Sequence, residues 1–108
     1  MKDIYQLIRR MGATSKYKGY YFAAAAVKLS MDLQKYPVKI TKDIYPCLAT
    51  KFQSTPRNIE HDIRTLINVC WVSNKASMDD IAGYHLIYKP TNSEFLDMLA
   101  YYLAQKKA

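Results

Sequence analysis

The sequence predicts an all-α fold of about six helices with an embedded helix-turn-helix. Apolar residues recur at helical spacing in successive segments, and helix-ending residues such as Gly12 and Pro37 separate these segments. No two segments have the alternating pattern and tight turn of a β-hairpin, and no repeat or low-complexity linker is present. Half of the 108 residues are hydrophobic, so the chain is expected to form one folded domain, residues 1–108.

The first two helices follow from their apolar residues. Gly12 is placed to end the first helix. A second helix is predicted from residue 20 to about residue 35, before Pro37. Two of its sides are apolar, so we expect it at the centre of the fold, and its alanines at 23–26 permit close approach of a neighbouring helix. The inward stripe of the first helix consists of Ile4, Leu7, Ile8 and Met11.

The third and fourth helices differ in how clearly they start. Residues 41–53 form a third helical segment with Pro46 inside it, so the helix either begins at Pro46 or is distorted there. The fourth helix has strong start signals. Thr55 is a good N-cap, and Pro56 fits the first helical position, where its missing N–H costs nothing.

A short fifth helix is predicted from a capping-box pattern. Ser77 with Asp80 marks its start, and Gly83 marks its end. Asp79 and Asp80 then lie in the first turn, where the helix dipole favours negative charge, and we expect no metal role for them.

The remaining residues predict a loop and a last helix. Residues 84–89 are expected to be extended or looped, with His85 a structural histidine rather than a ligand. Thr91 with Glu94 forms a second capping-box pattern, which opens the last helix.

Charge and composition restrict the classes of function that the protein can have. The net charge of +7 lies in residues 1–64, which hold 12 Lys and Arg against 5 Asp and Glu, whereas residues 65–108 hold 4 of each. A polyanionic partner is therefore expected to bind residues 1–64 rather than residues 65–108. No nucleophile–base or carboxylate pair indicates an enzyme, and neither a metal site nor a cofactor is expected from Cys47 and Cys70. No segment indicates a signal peptide or membrane span, so we expect a cytoplasmic location.

The helix-turn-helix is predicted over residues 48–70, with its turn at residues 53–55. Ala49 is small where the two helices cross, and Gln53 stands where many such turns have glycine. The second helix, about 56–72, then turns a polar face outward, with the side-chain types that recognise base edges in the major groove. The expected base-reading residues are Asn58, Glu60, His61 and Arg64.

Phosphate contacts are expected from cations around this helix, although each of them is equally compatible with an ordinary solvated surface. The same alternative applies to the outward face of the recognition helix. The expected phosphate-binding residues are Lys16, Lys18, Lys42, Lys51 and Arg57, with Lys39 a further candidate.

The chain resembles the C-terminal effector domain of stage-zero sporulation protein A, the response regulator that starts endospore formation. Four stretches carry the resemblance: residues 18–20, residues 40–49, residues 63–71 and the unusual Lys-Pro-Thr-Asn-Ser-Glu-Phe run at 89–95. The similarity extends from about residue 4 to residue 103. It implies a six-helix DNA-binding domain that reads a short TGTCGAA-like box, binds tandem boxes and contacts RNA polymerase sigma factor.

Two departures from that family stand out. The family normally has an N-terminal receiver domain, and none is present in these residues, which indicates an excised effector domain or an orphan protein. Two of the family's reading positions match as Glu60 and Arg64, whereas a third, usually Arg, is His61 here.

A helical protein-interaction module is the alternative function. Such a module would bind a sigma factor or a partner regulator without reading DNA. Its contacts are expected at residues 77–108, within the stretch 65–108 whose net charge is zero.

Overall fold

The computed structural model describes residues 1–33 and 37–107, which form six α-helices and one π-helical turn. In chain order these are α1 (Lys2–Arg10), α2 (Lys18–Leu33), the π-helical turn (Ile40–Ile44), α3 (Tyr45–Lys51), α4 (Pro56–Ser73), α5 (Lys75–Ala82) and α6 (Asn92–Lys107). No strand occurs in the described ranges, and the all-α prediction with six helices is confirmed. The predicted end of the second helix, near residue 35, lies outside the described residues.

α2 is the central helix, as its two apolar sides predict. It packs against α1, α3, α4 and α6, and the alanines at 23–26 are all buried. A close backbone approach occurs at Gly19, where an added Cβ would overlap the backbone carbonyl oxygen of Asp62 in α4. The start of α2 is therefore fixed beside the middle of α4.

The sequence left open whether a helix begins at Pro46 or is distorted there, and the structure shows a helix start preceded by a distorted turn. A π-helical turn (Ile40–Ile44) comes first, and the backbone N–H of Tyr45 donates to the carbonyl of Ile40 across it. α3 then begins at Tyr45, so that Pro46 lies in the first helical turn, where no backbone donor is needed. The proline thus marks a helix start with a wider turn before it.

α5 begins earlier than predicted, and the Ser77–Asp80 capping box is wrong. The N-cap is Asn74, whose side-chain oxygen accepts from the Ser77 N–H at 3.2 Å. Its amide also donates to the backbone oxygen of Arg10 at 3.0 Å, which ties α5 to the end of α1. Because α5 starts at Lys75, Asp79 and Asp80 lie in its second turn and not in the first.

The other predicted helix ends agree with the structure. Gly12 and Gly83 follow α1 and α5 with φ angles of 98° and 87°, a region that glycine adopts without steric cost. At the start of α6, the Thr91 N–H donates to the Glu94 carboxylate at 2.9 Å, and the Glu94 N–H donates to the Thr91 hydroxyl at 3.2 Å. These two bonds form the predicted capping box.

Replacing Gln53 with glycine is expected to stabilise the fold. Gln53 has a φ of 54°, which costs a residue with a side chain roughly 1–2 kcal/mol. Glycine removes this cost but loses more backbone entropy on folding, so the net gain in the free energy of unfolding should be about 0.5–1 kcal/mol. The measurement is urea unfolding.

Gln6→Gly, at an exposed position inside α1, is the matched control and should destabilise the protein by about 1 kcal/mol. Loss of stability in Gln53→Gly would mean that the Gln53 side chain contributes more than its backbone strain costs.

Candidate nucleic-acid interface

α3 and α4 form the two helices of the predicted helix-turn-helix. Leu48 and Ala49 of α3 are buried, as are Ile59 and Ile63 of α4. The turn between them is closed by a bond from the Ser54 N–H to the carbonyl of Ala49, at 2.8 Å. The inward stripes therefore pack as expected, and the opposite face of α4 is left to solvent.

The start of α4 is set by the two residues that the sequence indicates. The Thr55 hydroxyl accepts from the Asn58 N–H at 3.1 Å, and Pro56 occupies the first turn. Pro56 has no N–H, and the Ile59 N–H donates to the Thr55 carbonyl at 3.0 Å. Arg57 therefore supplies the remaining backbone donor at this helix end, where partial positive charge favours a phosphate. Arg57 and the Asn58 side chain are exposed at the same end.

Three of the four predicted base-reading side chains come together one turn further along α4. The Arg64 Nε donates to Glu60 Oε1 at 2.8 Å, with a longer contact of 3.4 Å from Nη2 to Oε2. The same Nη2 lies 3.3 Å from His61 Nδ1. Asn58 lies nearer the start of the helix, and no contact of its side chain with these three is observed among the described residues.

This arrangement suits Arg64 to base recognition. Its side chain is 57% exposed and that of Glu60 is 37% exposed, so their ion pair is solvated and contributes little to stability. Releasing the guanidinium toward another acceptor therefore costs little. The Nε edge faces Glu60, which leaves the Nη1 hydrogens for an acceptor such as guanine O6 or N7.

Sequence reasoning missed the hydrogen-bonded residues Asn92 and Tyr45 beside this cluster, of which Asn92 contacts α4. The Asn92 side-chain amide, at the start of α6, donates to the hydroxyl of Tyr45 and to the backbone carbonyl of Glu60, both at 2.9 Å. Asn92 belongs to the 89–95 run, which the sequence singles out for its unusual composition and its part in the family resemblance, with no tertiary contact assigned to Asn92. The contact joins residues 47 positions apart, so no local pattern reveals it.

The predicted phosphate-binding lysines are all exposed, on or next to α2, the π-helical turn and α3. Lys18 begins α2 beside Asp62, and Lys51 ends α3 next to the turn. Lys42 lies in the π-helical turn, which packs against α3. The remaining cations of this group, also exposed, are Lys16 and Lys39.

A second exposed surface lies between α5 and α6. Tyr84, Ile87 and Tyr88 are 67%, 76% and 81% exposed, whereas Leu86 between them is buried. The Asp79 carboxylate holds the segment of residues 84–88 against α5, because it accepts a hydrogen bond from the Leu86 N–H at 3.0 Å. His85 Nδ1 lies 3.0 Å from the same carboxylate. His85 is thus an exposed partner of Asp79 rather than a core residue.

Acid is expected to loosen this segment. The Leu86 N–H, together with Lys75 and His85, lowers the pKa of Asp79 to about 2. A carboxyl with a lowered folded pKa stabilises the protein above its unfolded pKa of about 4 and loses that contribution as the pH falls toward 2. In urea unfolding, the stability advantage of wild type over Asp79→Asn should therefore shrink between about pH 4 and pH 2. An advantage that stays constant over this range would contradict the role given to the carboxylate.

Neither a cluster of metal-ligating side chains nor a membrane-spanning helix occurs in the ranges that the structure describes. No group of three His, Cys, Asp or Glu side chains is placed to hold an ion there. None of the six helices has the length and apolar character needed to cross a bilayer. Cys47 is exposed and Cys70 is buried, and both are free thiols.

Comparison with known families agrees with this geometry. Residues 4–103 match the family described as "Sporulation initiation factor Spo0A C terminal", which is nearly the whole chain. Members are regulatory DNA-binding domains of sporulation initiation regulators, and the family is not an enzyme family. The chain therefore belongs to the family of Spo0A C-terminal domains.

Proposed function

We propose that the chain reads a specific DNA sequence by inserting α4, about residues 56–72, into the major groove. The observation that carries this proposal is the exposed Arg64–Glu60 pair, held at 2.8 Å on the outward face of the second helix of a helix-turn-helix. Arginine donates hydrogen bonds to guanine and glutamate accepts one from cytosine, so the pair supplies a donor and an acceptor for the two bases of a G·C pair. The proposed base-reading set is Arg64, Glu60, His61 and Asn58.

The exposed lysines complete the proposed interface. α2 and α3 pack against α4, and the π-helical turn packs against α2 and α3. We propose that the backbone of a duplex with α4 in its major groove runs past the exposed lysines of these elements. Phosphate contacts there would fix the register without reading sequence. The proposed phosphate-binding set is Lys16, Lys18, Lys42, Lys51 and Arg57.

The experiment is a pair of binding titrations at several salt concentrations. One duplex carries a box selected by the protein from a random pool, and the other is a scrambled control. If about five phosphates are neutralised, log affinity should fall against log salt with a slope of roughly −4 to −5 on both duplexes. The selected box should bind more tightly at every salt concentration. A flat salt response or equal affinity for the two duplexes would rule out sequence reading as the main function.

Tandem binding follows from the resemblance to the family and belongs to the same proposal. Two copies should occupy adjacent TGTCGAA-like boxes, whereas the free chain should be monomeric. Sedimentation with and without a two-box duplex measures this. A tight dimer without DNA would contradict it, because two free copies would then already be joined before they meet the boxes.

A protein partner is a second candidate, and one observation favours it. Tyr84, Ile87 and Tyr88 expose aromatic and aliphatic surface that a solvated loop does not need. RNA polymerase sigma factor, at promoters in the cytoplasm, is the partner that the resemblance implies. Ile87→Ser should weaken binding of purified sigma factor without changing affinity for the selected DNA box. Unchanged sigma binding would remove this segment from the contact, and sigma binding without any DNA discrimination would favour the interaction-module alternative.

A further inference from the structure

The start of α6 makes a directional contact with the recognition helix. Asn92 is the first residue of α6, and the Thr91–Glu94 capping box fixes the helix start around it. Its amide nitrogen donates to the Tyr45 hydroxyl and to the Glu60 carbonyl, each at 2.9 Å. The single side chain therefore joins α6 to both helices of the helix-turn-helix.

The Asn92 contact lies next to the Arg64–Glu60 pair. The carboxylate of Glu60 accepts a hydrogen bond from Arg64, and its backbone carbonyl accepts one from the Asn92 amide. Asn92 therefore binds α4 at one of the two residues of the proposed base-reading pair. The Tyr45 hydroxyl lies close to the same pair. Burial raises the pKa of Tyr45, the Asn92 hydrogen bond opposes this, and the charges of Glu60 and Arg64 act on it in opposite directions.

The steric contact at Gly19 and apolar packing hold α4 against the core, but neither is a directional bond. Ile59, Ile63 and their neighbours attach the helix to the core, but apolar burial is non-directional and tolerates small rotations. Base recognition needs side chains held within about 0.5 Å and 10–20° of the productive geometry. A hydrogen bond to one carbonyl of α4 from another element supplies a directional restraint of that kind.

We propose that Asn92 is a positioning residue for DNA recognition, which fixes the rotation and height of α4 relative to α3 so that Arg64 and Glu60 meet the base edges. This inference rests on the proposed function. It gives a physical role to the 89–95 run, which contacts no base in the proposed interface.

The test compares two asparagines that both bridge elements. Asn92→Ala removes the contact with α4, and Asn92→Asp replaces the amide donor by a carboxylate of the same size, which cannot donate to the Glu60 carbonyl. The matched control is Asn74→Ala, which removes the bridge from the junction of α4 and α5 to the backbone oxygen of Arg10, about three helical turns beyond Arg64. For each protein the affinity ratio between the selected box and the scrambled duplex is measured at one salt concentration, and stability by urea unfolding.

Both Asn92 variants should lose discrimination by about tenfold, comparable to the loss of one base contact, with scrambled-duplex affinity unchanged. Asn74→Ala should lose stability and keep the wild-type ratio. Asn92 variants that fold and keep the wild-type ratio would overturn the inference alone. A wild-type protein that does not discriminate would overturn the proposed function, and the inference with it.

Tyr45→Phe keeps the test decisive if both Asn92 variants fail to fold. It removes only the hydroxyl that accepts from Asn92. The affinity ratio should then fall in the same direction, and an unchanged ratio would overturn the inference.

Discussion

Gly19→Ala is expected to lower the free energy of unfolding by about 3 kcal/mol, the largest stability effect that we predict for a single methyl group. The added Cβ would overlap the Asp62 carbonyl oxygen and lie 2.8 Å from its carbon and 3.0 Å from the Leu66 Cβ. These atoms belong to the α4 backbone or are attached directly to it, so no side-chain rotation relieves the contact. The helices must move apart, and packing is lost along the contact between α2 and α4.

Thermal unfolding and urea unfolding measure this effect. For a domain of this size the loss corresponds to a fall in Tm of roughly 12–24 °C. Gly83→Ala is the control, because nothing lies within 4 Å of an added Cβ there and only the positive φ of 87° is strained. It should cost about 1 kcal/mol. If both variants lost the same amount, the close approach of α2 to α4 would not be the cause.

Arg64→Ala is expected to cost about 1–3 kcal/mol of binding free energy on the selected box and to relax specificity at one base pair. The scrambled duplex should lose much less, because a base contact is not made there. The stability change should be small, since the Arg64–Glu60 pair is exposed and contributes at most about 0.5 kcal/mol. Anisotropy titrations on the box and its single-base variants, with thermal melting of each protein, give both quantities.

Arg57→Ala is the matched control for this experiment. Arg57 is exposed in the first turn of α4, where a phosphate contact is proposed. Its loss should weaken the box and the scrambled duplex about equally. An Arg64→Ala protein that behaved in the same way would place Arg64 on a phosphate and contradict the base-reading role.

Local signals in the sequence were sufficient to predict most of the fold and the outward face of α4. The start of α4 depends on Thr55 and Pro56, which are adjacent, and the start of α6 depends on Thr91 and Glu94, three residues apart. Each signal works through bonds inside its own turn. Such signals are visible in the sequence because no distant residue is needed to complete them.

The errors arose where a distant contact decides between local patterns. Asn74 and Ser77 are both good N-caps, and the choice between them depends on a bond from Asn74 to Arg10, 64 positions earlier in the chain. His85 was predicted to be a structural histidine without a named partner, because its contact with Asp79 joins the loop to α5, six positions earlier in the chain. The same limit explains why the contact of Asn92 with Glu60 was not predicted, since periodicity and capping rules describe one element at a time.

The contrast between the two cysteines gives the unmodified protein one built-in attachment point for a probe. Thiol reagents attack the thiolate, and burial raises the pKa of Cys70 to about 12, whereas Cys47 is exposed on α3. A maleimide spin label at neutral pH should therefore modify Cys47 alone. Two labelled copies on one two-box duplex would then report the distance between neighbouring α3 helices, and varying the spacer between the boxes would measure the arrangement of the copies along the DNA.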